Sequence, residues 1–200
     1  MANFETVKKN LEDRGFTVRV FPTGKEAADY LDAAVDGKSV GFGGSVTLDA
    51  LGLYERLGSH NKAIWHWKWE DKAAARREAM TSDVYLASVN GLAETGELVN
   101  IDGAGNRVAA TLFGHEKVYF VVGRNKLAPT YDEAVWRARN IASPQNAQRL
   151  GKKTPCAVKA DRCYDCDSPE RICNALVTFW RKPKGIAKME VVLIDQELGY

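Results

Sequence analysis

The stretch SVGFGGSVTLD, residues 39–49, joins a short apolar segment to a glycine-rich turn and then to the start of a helix. Glycines let backbone N–H groups approach an anion without obstruction by a Cβ atom, and the free N–H groups of a following helix favour a phosphate or carboxylate. Ser45 and Thr47 can add hydroxyl donors or cap the helix. The pattern lacks the Gly-Lys-Ser/Thr of a P-loop and the Rossmann glycine spacing. It predicts either an anion-binding turn or, equally, a tight strand-to-helix turn whose glycines only satisfy the backbone.

Helix and strand signals alternate on both sides of this stretch. Thr23 and Glu26 form a Thr-x-x-Glu capping box before an apolar helix, and apolar residues at helical spacing follow Phe4. Further strands are predicted at 17–21, 63–69 and 84–89, and further helices at 47–57 and 71–80. The alternation predicts an α/β fold with a mainly parallel sheet flanked by helices.

The second half of the chain predicts antiparallel excursions from that sheet. Residues 98–101 and 108–112 flank the polar turn DGAGN, and both segments are apolar enough to be strands. Residues 118–122, VYFVV, are the strongest candidate for a central strand, and residues 131–141 have helical spacing.

The C-terminal part predicts a hairpin and a single domain. Residues 175–180 and 188–194 are apolar runs on either side of KPKG, and we expect them to pair as a hairpin that ends the fold. With no repeat or low-complexity stretch, the simplest organisation is one domain over residues 1–200 with a cysteine-bearing insertion at 155–175.

Composition excludes several classes of protein. The 200 residues carry 28 basic and 26 acidic side chains, a net charge of +2, which gives no basic footprint for nucleic acid. Residues 1–10 are charged and lack the apolar core of a signal peptide, and no apolar run approaches the roughly 20 residues that span a bilayer. We therefore expect a cytoplasmic protein with no membrane association.

A loop carboxylate is the candidate for acid–base chemistry. Residues 93–107 follow a predicted core strand, and ligand sites in open α/β sheets lie outside the carboxyl ends of the strands. Glu94 can act there as a general base or nucleophile if burial raises its pKa. The alternative is an exposed carboxylate beside a hairpin. His115, just before the central strand, is either a ligand contact or a plain surface residue.

These segments together resemble one family. GGSVTL at 43–48, followed by LGL, resembles the Gly-Gly-Ser-x-Thr-Leu stretch of the LUD (lactate-utilisation) family. AETG at 93–96, continued by NIDGAGNR at 100–107, resembles the second signature of that family. The histidine that leads into the apolar strand at 118–122 matches the next segment, so the resemblance covers roughly residues 1–150 in order.

The resemblance implies a fold and a site. The family includes lactate-utilisation protein C and the related YkgG proteins, and its fold is that of glucosamine-phosphate deaminase (NagB), ribose-5-phosphate isomerase (RpiA) and CoA-transferases. It implies that the glycine turn faces the Glu-Thr-Gly loop around an anionic ligand, with Glu94 as the catalytic residue. The residues expected to bind substrate are Gly43, Gly44, Ser45, Thr47, Thr95, Gly96, Asn100, Asp102, Gly103, Gly105, Asn106 and His115.

The family also implies partners. Members in lactate operons act with iron–sulfur proteins in oxidising L-lactate to pyruvate. Our first hypothesis is an enzyme or enzyme subunit that binds a small anionic metabolite: an organic acid, a phosphorylated sugar or a CoA ester. The alternative is a non-catalytic redox or assembly subunit. A stand-alone sugar-phosphate isomerase is a third, although no lysine matches a catalytic position of such an enzyme.

The four cysteines lie together and predict a metal site. Cys156, Cys163, Cys166 and Cys173 have the spacing C-x6-C-x2-C-x6-C, and the first 155 residues contain no cysteine. In a reducing cytosol such clustering favours metal ligation over disulfides. Four thiolates suit an iron–sulfur cluster, which the redox setting of the family favours, or a tetrahedral zinc ion. We expect Ser168 and Pro169 to start a helix that carries Cys173.

The segment IWHWKW, residues 64–69, places three indoles on one face if it is a strand. Packing against a helix or another subunit is the simpler interpretation, because tryptophan usually contributes core or interface area, and cofactor stacking is the other. A homo-oligomer is therefore an open expectation, and His66 on the opposite face is not predicted to be a ligand.

Overall fold

The computed structural model describes residues 4–200, so Met1 to Asn3 of the predicted domain lie outside the described residues. In this range, six strands form one sheet in the order β1-β10-β7-β4-β2-β3, and every neighbouring pair is parallel. The strands are β1 (Thr17–Phe21), β2 (Ser39–Phe42), β3 (Lys62–Trp65), β4 (Val84–Ala87), β7 (Lys117–Gly123) and β10 (Lys188–Ile194). The predicted α/β class with a mainly parallel sheet is confirmed.

A second, smaller sheet supplies the antiparallel part of the fold. It has the order β8-β5-β6-β9, with β5 parallel to β8 and β6 antiparallel to both β5 and β9. Its strands are β5 (Gly91–Ala93), β6 (Leu98–Asp102), β8 (Leu127–Ala128) and β9 (Ala175–Phe179). Because β5 follows β4 and β8 follows β7 within a few residues, this sheet lies beyond the carboxyl ends of the large one.

Helices flank the large sheet and begin at recognisable caps. Thr23 accepts from the backbone N–H of Glu26, as predicted, and Thr130 and Glu133 form a complete capping box. The helices are α1 (Phe4–Asp13), α2 (Gly24–Ala34), α3 (Val46–Ala50), α4 (Leu53–Gly58), α5 (Lys72–Ala79), α6 (Asn106–Ala110), α7 (Tyr131–Arg137), α8 (Ser143–Arg149) and α9 (Pro155–Lys159). A π-helical turn over Ala138–Ala142 joins α7 to α8.

The core lies on both faces of the large sheet. Successive residues of a strand point to opposite faces, and β7 shows this directly. Val118, Phe120 and Val122 belong to one buried cluster, whereas Tyr119 and Val121 belong to the other. A strand that is buried on both faces has a continuous apolar sequence, which is why VYFVV predicted a central strand correctly.

Three predicted elements are wrong in detail. Residues 175–180 and 188–194 do not form a hairpin: β9 pairs with β6 in the small sheet, and β10 lies between β1 and β7 in the large one. Residues 108–112 are not a strand: residues 108–110 lie in α6, which begins at Asn106 and ends at Ala110. The helix expected at 47–57 is divided into α3 and α4, because Gly52 adopts a left-handed conformation (φ 61°) between them.

No helix among residues 4–200 has the length and the apolar character to cross a bilayer.

Candidate functional site

A cleft of about 760 Å³ opens at the carboxyl ends of β2, β3, β4 and β7, and we call it the carboxyl-end cleft. The small sheet, α8 and the segment 169–174 form its other walls. The chain runs from β2 to β3 on one side and then crosses to β4 on the other side of β2. Ligands of open α/β sheets bind at such a point, where the direction of the connections reverses.

The glycine turn after β2 forms one wall, and its glycines are needed for close approach. A Cβ atom on Gly43 would stand 2.9 Å from Cγ of Arg107, and one on Gly44 would stand 3.2 Å from Nε1 of Trp67. Both distances are tighter than ordinary van der Waals contact. The turn therefore brings Arg107 and Trp67 against the backbone, and the hydroxyl of Ser45 caps α3 by accepting from the N–H of Leu48 at 3.3 Å.

The structure brings part of the predicted site together. Gly44, Ser45 and Thr47 line the carboxyl-end cleft opposite a second group from the end of β6. That group consists of Asp102, Gly103 and Asn106. The glycine turn and the DGAGN turn therefore face one cleft, whereas the sequence analysis expected the Glu-Thr-Gly loop opposite the glycine turn.

Asp102 has a structural task within that wall. Its carboxylate accepts from the N–H of Gly105 at 2.9 Å and of Val108 at 3.3 Å, and it lies 3.6 Å from Nε of Arg107. Gly105 has a φ of 83°, a left-handed conformation that favours glycine, and precedes α6. Asp102 thus starts α6 and holds Arg107 at the cleft.

The Glu-Thr-Gly turn lies elsewhere, which corrects the predicted arrangement. Glu94, Thr95 and Gly96 form the tight turn between β5 and β6, and none of them lines the cleft. Arg14 donates to the carbonyl of Thr95 at 2.8 Å, and Asn10 to that of Glu94 at 2.7 Å. The sequence suggested one continuous loop, but β6 separates its two halves, and five strand residues at about 3.3 Å each span roughly 15 Å.

Asn100 and His115 are also outside the cleft lining. Asn100 is fully buried in β6, and its side-chain amide has no hydrogen-bond partner among residues 4–200. His115 is buried, donates from Nδ1 to the carbonyl of Ser82 at 2.6 Å, and stacks on Tyr85 with ring centroids 5.1 Å apart. Burial lowers the pKa of His115. The imidazole does not line the carboxyl-end cleft and has no contact with a ligand held there.

Lys126 is a cleft residue that sequence analysis missed. It ends a short 3-10 turn after β7 and is only 4% exposed. Its Nζ donates to Oγ1 of Thr47 and to Oγ of Ser88, each at 2.9 Å. Burial lowers the pKa of Lys126 well below its ordinary value, and the positive charges of Arg137 and Arg107 lower it further. The only available signal was its position just after the most apolar strand.

The charges around the cleft are strongly unequal. Two acidic residues, Asp102 and Glu170, lie in its walls, against seven basic residues. The basic residues are Lys72, Arg76, Arg107, Lys126, Arg149, Lys152 and Arg171. Within residues 4–200, only Arg107 of these seven has a carboxylate within ion-pair distance. Such an excess of unpaired cations predicts an anionic ligand.

Arg76 illustrates an unpaired guanidinium. It is half-buried on α5, and its Nε is enclosed without a hydrogen-bond partner in the described part of the chain. Arg171 likewise has an enclosed Nε without a partner, although its other nitrogens donate to the carbonyls of Cys166 and Cys173. A buried donor without a partner is costly, and a bound anion would satisfy it.

His66 and Trp67 differ from their sequence interpretation. β3 ends at Trp65, so the three indoles do not share one strand face. Trp65 is buried and stacks on Trp67 at 5.0 Å, while Arg149 covers the Trp67 ring at 4.7 Å. His66 lines the cleft, and burial, followed by the charge of Arg76, lowers its pKa to about 4. His66 is therefore a neutral hydrogen-bonding group near pH 7.

The four cysteines are partly buried thiols that form no disulfide. Sγ of Cys163 accepts from the N–H of Asp165 at 3.4 Å, and Sγ of Cys173 accepts from Arg171 at 3.5 Å. No three His, Cys, Asp or Glu residues within 4–200 are placed to hold one metal ion. Thiols are the right donors for iron–sulfur or zinc, but they are not gathered around a single centre here, so the metal site stays a prediction.

The predicted helix from Ser168 is not present. Residues 160–174 are irregular, and Arg171 donates to the carbonyls of Cys166 and Cys173 within this segment. The helix of this region is α9, which carries Cys156. Pro169 to Ile172 nevertheless line the carboxyl-end cleft. The cysteine segment therefore borders the cleft directly.

Comparisons with known proteins agree with the fold. A model of the LUD domain matches residues 4–194. A crystal structure of a DUF162 family protein from Deinococcus radiodurans, at 1.70 Å resolution, is similar to this chain with a TM-score of 0.57 at 13% sequence identity, covering 96% of this chain and 95% of that one. At this identity the likeness concerns the fold alone. No curated protein matches the chain.

Proposed function

The chain belongs to the LUD-domain family, and we propose that it binds a small anionic metabolite in the carboxyl-end cleft. The observation that carries this proposal is that seven basic side chains lie in the cleft walls against two acidic ones. Apart from Lys126, whose pKa is lowered, five of the basic side chains have no carboxylate partner among residues 4–200. Unpaired cations in a partly enclosed cleft attract and hold an anion, because the field between low-dielectric walls is screened less than at an open surface.

The size of the cleft fits a metabolite. Clefts of roughly 300–1,000 Å³ hold small organic ligands and cofactors, and this one has about 760 Å³. The family's link to lactate utilisation favours an organic acid of the lactate and pyruvate type. Phosphorylated sugars and CoA esters have the same anionic character and remain alternatives that the same experiment separates.

The predicted catalytic role of Glu94 is not carried into this proposal. The turn that contains Glu94 is at the far end of the β5–β6 hairpin from the cleft, so its carboxylate has no access to a ligand held there. We expect Glu94→Ala to bind every anion as the unmodified chain does.

Isothermal titration calorimetry tests the proposal with a pair of neighbouring arginines. Arg76 lines the cleft, whereas Arg77, next to it on α5, is exposed and does not. Each is changed to Gln, and both variants are titrated with L-lactate, pyruvate, a sugar phosphate and a CoA ester at constant ionic strength. A hydrogen bond to a charged group contributes about 1.5–3 kcal/mol, so Arg76→Gln should weaken binding roughly 10-fold to 150-fold.

Arg77→Gln should leave the affinity unchanged within about 2-fold, since surface charges away from a site contribute little. Equal losses in the two variants would mean that anions associate with the general positive surface of α5. Absence of heat with all four compounds would contradict an anion site in the cleft.

The four-cysteine segment supports a second role beside the first. It borders the carboxyl-end cleft through Pro169 to Ile172, and two of its sulfurs accept hydrogen bonds from arginine or backbone N–H groups. We propose that, if the segment binds iron or zinc, the centre is formed next to the metabolite. An iron–sulfur centre in that position would suit electron transfer to or from the metabolite, whereas zinc, which has no redox chemistry, would be structural.

A further inference from the structure

Lys126 is the basic residue of the cleft that is least suited to hold an anion by charge alone. It is 4% exposed, and the charged groups that lower its pKa after burial are both cations, Arg137 on α7 and Arg107 on α6. No carboxylate among residues 4–200 lies within ion-pair distance of its Nζ. A lysine in such surroundings loses its proton at a lower pH than an exposed one, and the neutral amine is a nucleophile.

The hydrogen bonds of Lys126 fix the orientation of its amine. Oγ1 of Thr47 donates its proton to the carbonyl of Leu198 at 3.1 Å, and Oγ of Ser88 donates to that of Val121 at 2.6 Å. Both hydroxyl protons are thus committed, and both hydroxyl oxygens must accept from Nζ. Two of the directions around the tetrahedral Nζ atom are therefore occupied by N–H groups.

The remaining direction on Nζ is available for chemistry. In the neutral amine it carries the lone pair, and no further hydrogen bond from the described part of the chain uses it. Lys126 lines the carboxyl-end cleft, so the unused direction on Nζ is the one left for a bound ligand. An amine that is desolvated, oriented by two acceptors and close to the positive charges of Arg107 and Arg137 has the requirements for attack on a carbonyl carbon next to a carboxylate.

We propose that Lys126 forms an imine with a 2-oxo acid bound in the carboxyl-end cleft. This rests on the proposed anion site, because the arginines hold the carboxylate while Nζ meets the carbonyl. Nζ forms a bond to the carbonyl carbon, the carbonyl electron pair moves to oxygen, and that oxygen takes a proton from nitrogen. The C–O bond of the carbinolamine then breaks as the nitrogen lone pair forms the C=N bond, and the departing hydroxyl group takes the second proton from nitrogen and leaves as water.

The net reaction is amine plus ketone to imine plus water, and it needs neither an oxidant nor a reductant. The imine withdraws electrons from the carbon that bore the carbonyl oxygen. This makes proton removal or bond cleavage at the neighbouring carbon easier. The site would therefore serve carbonyl chemistry of short organic acids, in contrast to phosphoryl or acyl transfer.

Reductive trapping tests the imine. The full chain is incubated with pyruvate and cyanoborohydride, and the intact mass is measured. Trapping should add the mass of one pyruvic acid less one oxygen atom, and peptide mapping should place the adduct on Lys126 in excess of all other lysines together. L-lactate, which has a hydroxyl in place of the carbonyl, should give no adduct under the same conditions.

Lys126→Met removes the amine, and its folding is checked by circular dichroism; this variant should give no adduct. The site assignment in the unmodified chain does not depend on whether the variant folds. An adduct found on Lys72 or Lys152, or spread over surface lysines, overturns the proposal.

The outcome for the anion site is separate. Calorimetric binding of pyruvate without any trapped adduct would overturn the imine and leave the metabolite site intact. If calorimetry detects no binding of pyruvate and trapping gives no adduct, both the imine and the metabolite site are contradicted.

Discussion

The unusual state of Lys126 predicts a specific dependence of stability on pH. Its folded-state pKa lies well below the ordinary lysine value, because the amine is buried beside Arg137 and Arg107. In the unfolded chain the amine titrates near 10.4. Between these two values the unfolded state binds a proton that the folded state does not, so the free energy of unfolding rises with pH in this window. Below the folded-state pKa the amine is protonated in both states, and the folded chain bears the full cost of burying its charge.

The size of this effect follows from linkage. One proton bound by the unfolded state alone gives a slope of about 1.4 kcal/mol per pH unit. Lys126→Met has no titrating group at this position, so its stability should lack this slope. We expect the difference in the free energy of unfolding, unmodified chain minus variant, to increase by about 1.4 kcal/mol between pH 8.5 and 9.5.

Loss of the two hydrogen bonds to Thr47 and Ser88 also costs the variant about 1 kcal/mol each, but this cost is independent of pH and does not alter the slope.

Urea unfolding monitored by tryptophan fluorescence measures this difference. Curves are recorded for the unmodified chain, Lys126→Met and Lys159→Met at half-unit steps from pH 8 to 9.5. Lys159 is exposed on α9, so its substitution controls for the loss of one positive charge. Parallel stability curves for the unmodified chain and Lys126→Met would show that Lys126 keeps its proton in the folded state, and the basis of the imine proposal would be lost.

Three other outcomes follow from the same structure. Gly91→Ala should lower the free energy of unfolding by about 2–4 kcal/mol in urea titrations, because its Cβ would stand 2.4 Å from the carbonyl oxygen of Ala134. Gly58→Ala, whose Cβ would have an ordinary contact at 3.6 Å, should be neutral or slightly stabilising. The pKa of His66 is lowered to about 4, so the folded state loses stability as pH falls from 6.5 toward 4. His66→Gln should remove about 2 kcal/mol of this loss between pH 6.5 and 4.5. If the free energy of unfolding of the variant falls with pH as steeply as that of the unmodified chain, this prediction is wrong. The four-cysteine segment, residues 155–175, should yield a brown iron protein or a colourless zinc protein on anaerobic purification, and elemental analysis that finds neither metal would reject the predicted site.

The parts of the fold that the sequence predicted are those determined by local pattern. A strand that is buried on both faces must be apolar at every position, and 118–122 satisfies this without reference to any neighbour. The helix cap at Thr23, which accepts from the backbone N–H of Glu26, is likewise contained within four residues. The hairpin expected from 175–194 failed because strand pairing is not local. β10 has the longer uninterrupted apolar run, Val191 to Ile194, and lies between β1 and β7, whereas β9 pairs at the edge of the small sheet.

The site was predicted in part for the same reason. Gly44 and Asp102 lie in motifs whose glycines indicate turns, and the rule that sites follow the carboxyl ends of strands placed both turns at one edge. Glu94 was assigned to the same edge because its motif is continuous in sequence with the DGAGN turn. Because a short strand lies between the two turns, they occupy opposite ends of the small sheet. No residue within the motif indicates this separation.

Lys126 could not be identified from its own surroundings in the sequence. GRNKLAP has the composition of an exposed loop, and lysine is rarely buried without a partner. Its burial arises because β8 pairs with β5 and because Leu198 and Gly199 pack over Thr47. All of these contacts join residues distant along the chain. Functional groups that violate local expectation are created by tertiary packing, so sequence patterns are least informative where the chemistry is most concentrated.

The same packing imposes a cost that the ligand can offset. The six basic side chains of the cleft other than Lys126 repel one another, and the enclosed Nε atoms of Arg76 and Arg171 have no partner within residues 4–200. Each unsatisfied donor costs about 1–3 kcal/mol, and substituting both cations by apolar residues should make the free protein more stable. An anion that binds the folded chain supplies the missing acceptors and stabilises it by mass action. The instability of the free cleft and its affinity for an anion are therefore two consequences of one charge arrangement, and substitutions that relieve the first should reduce the second.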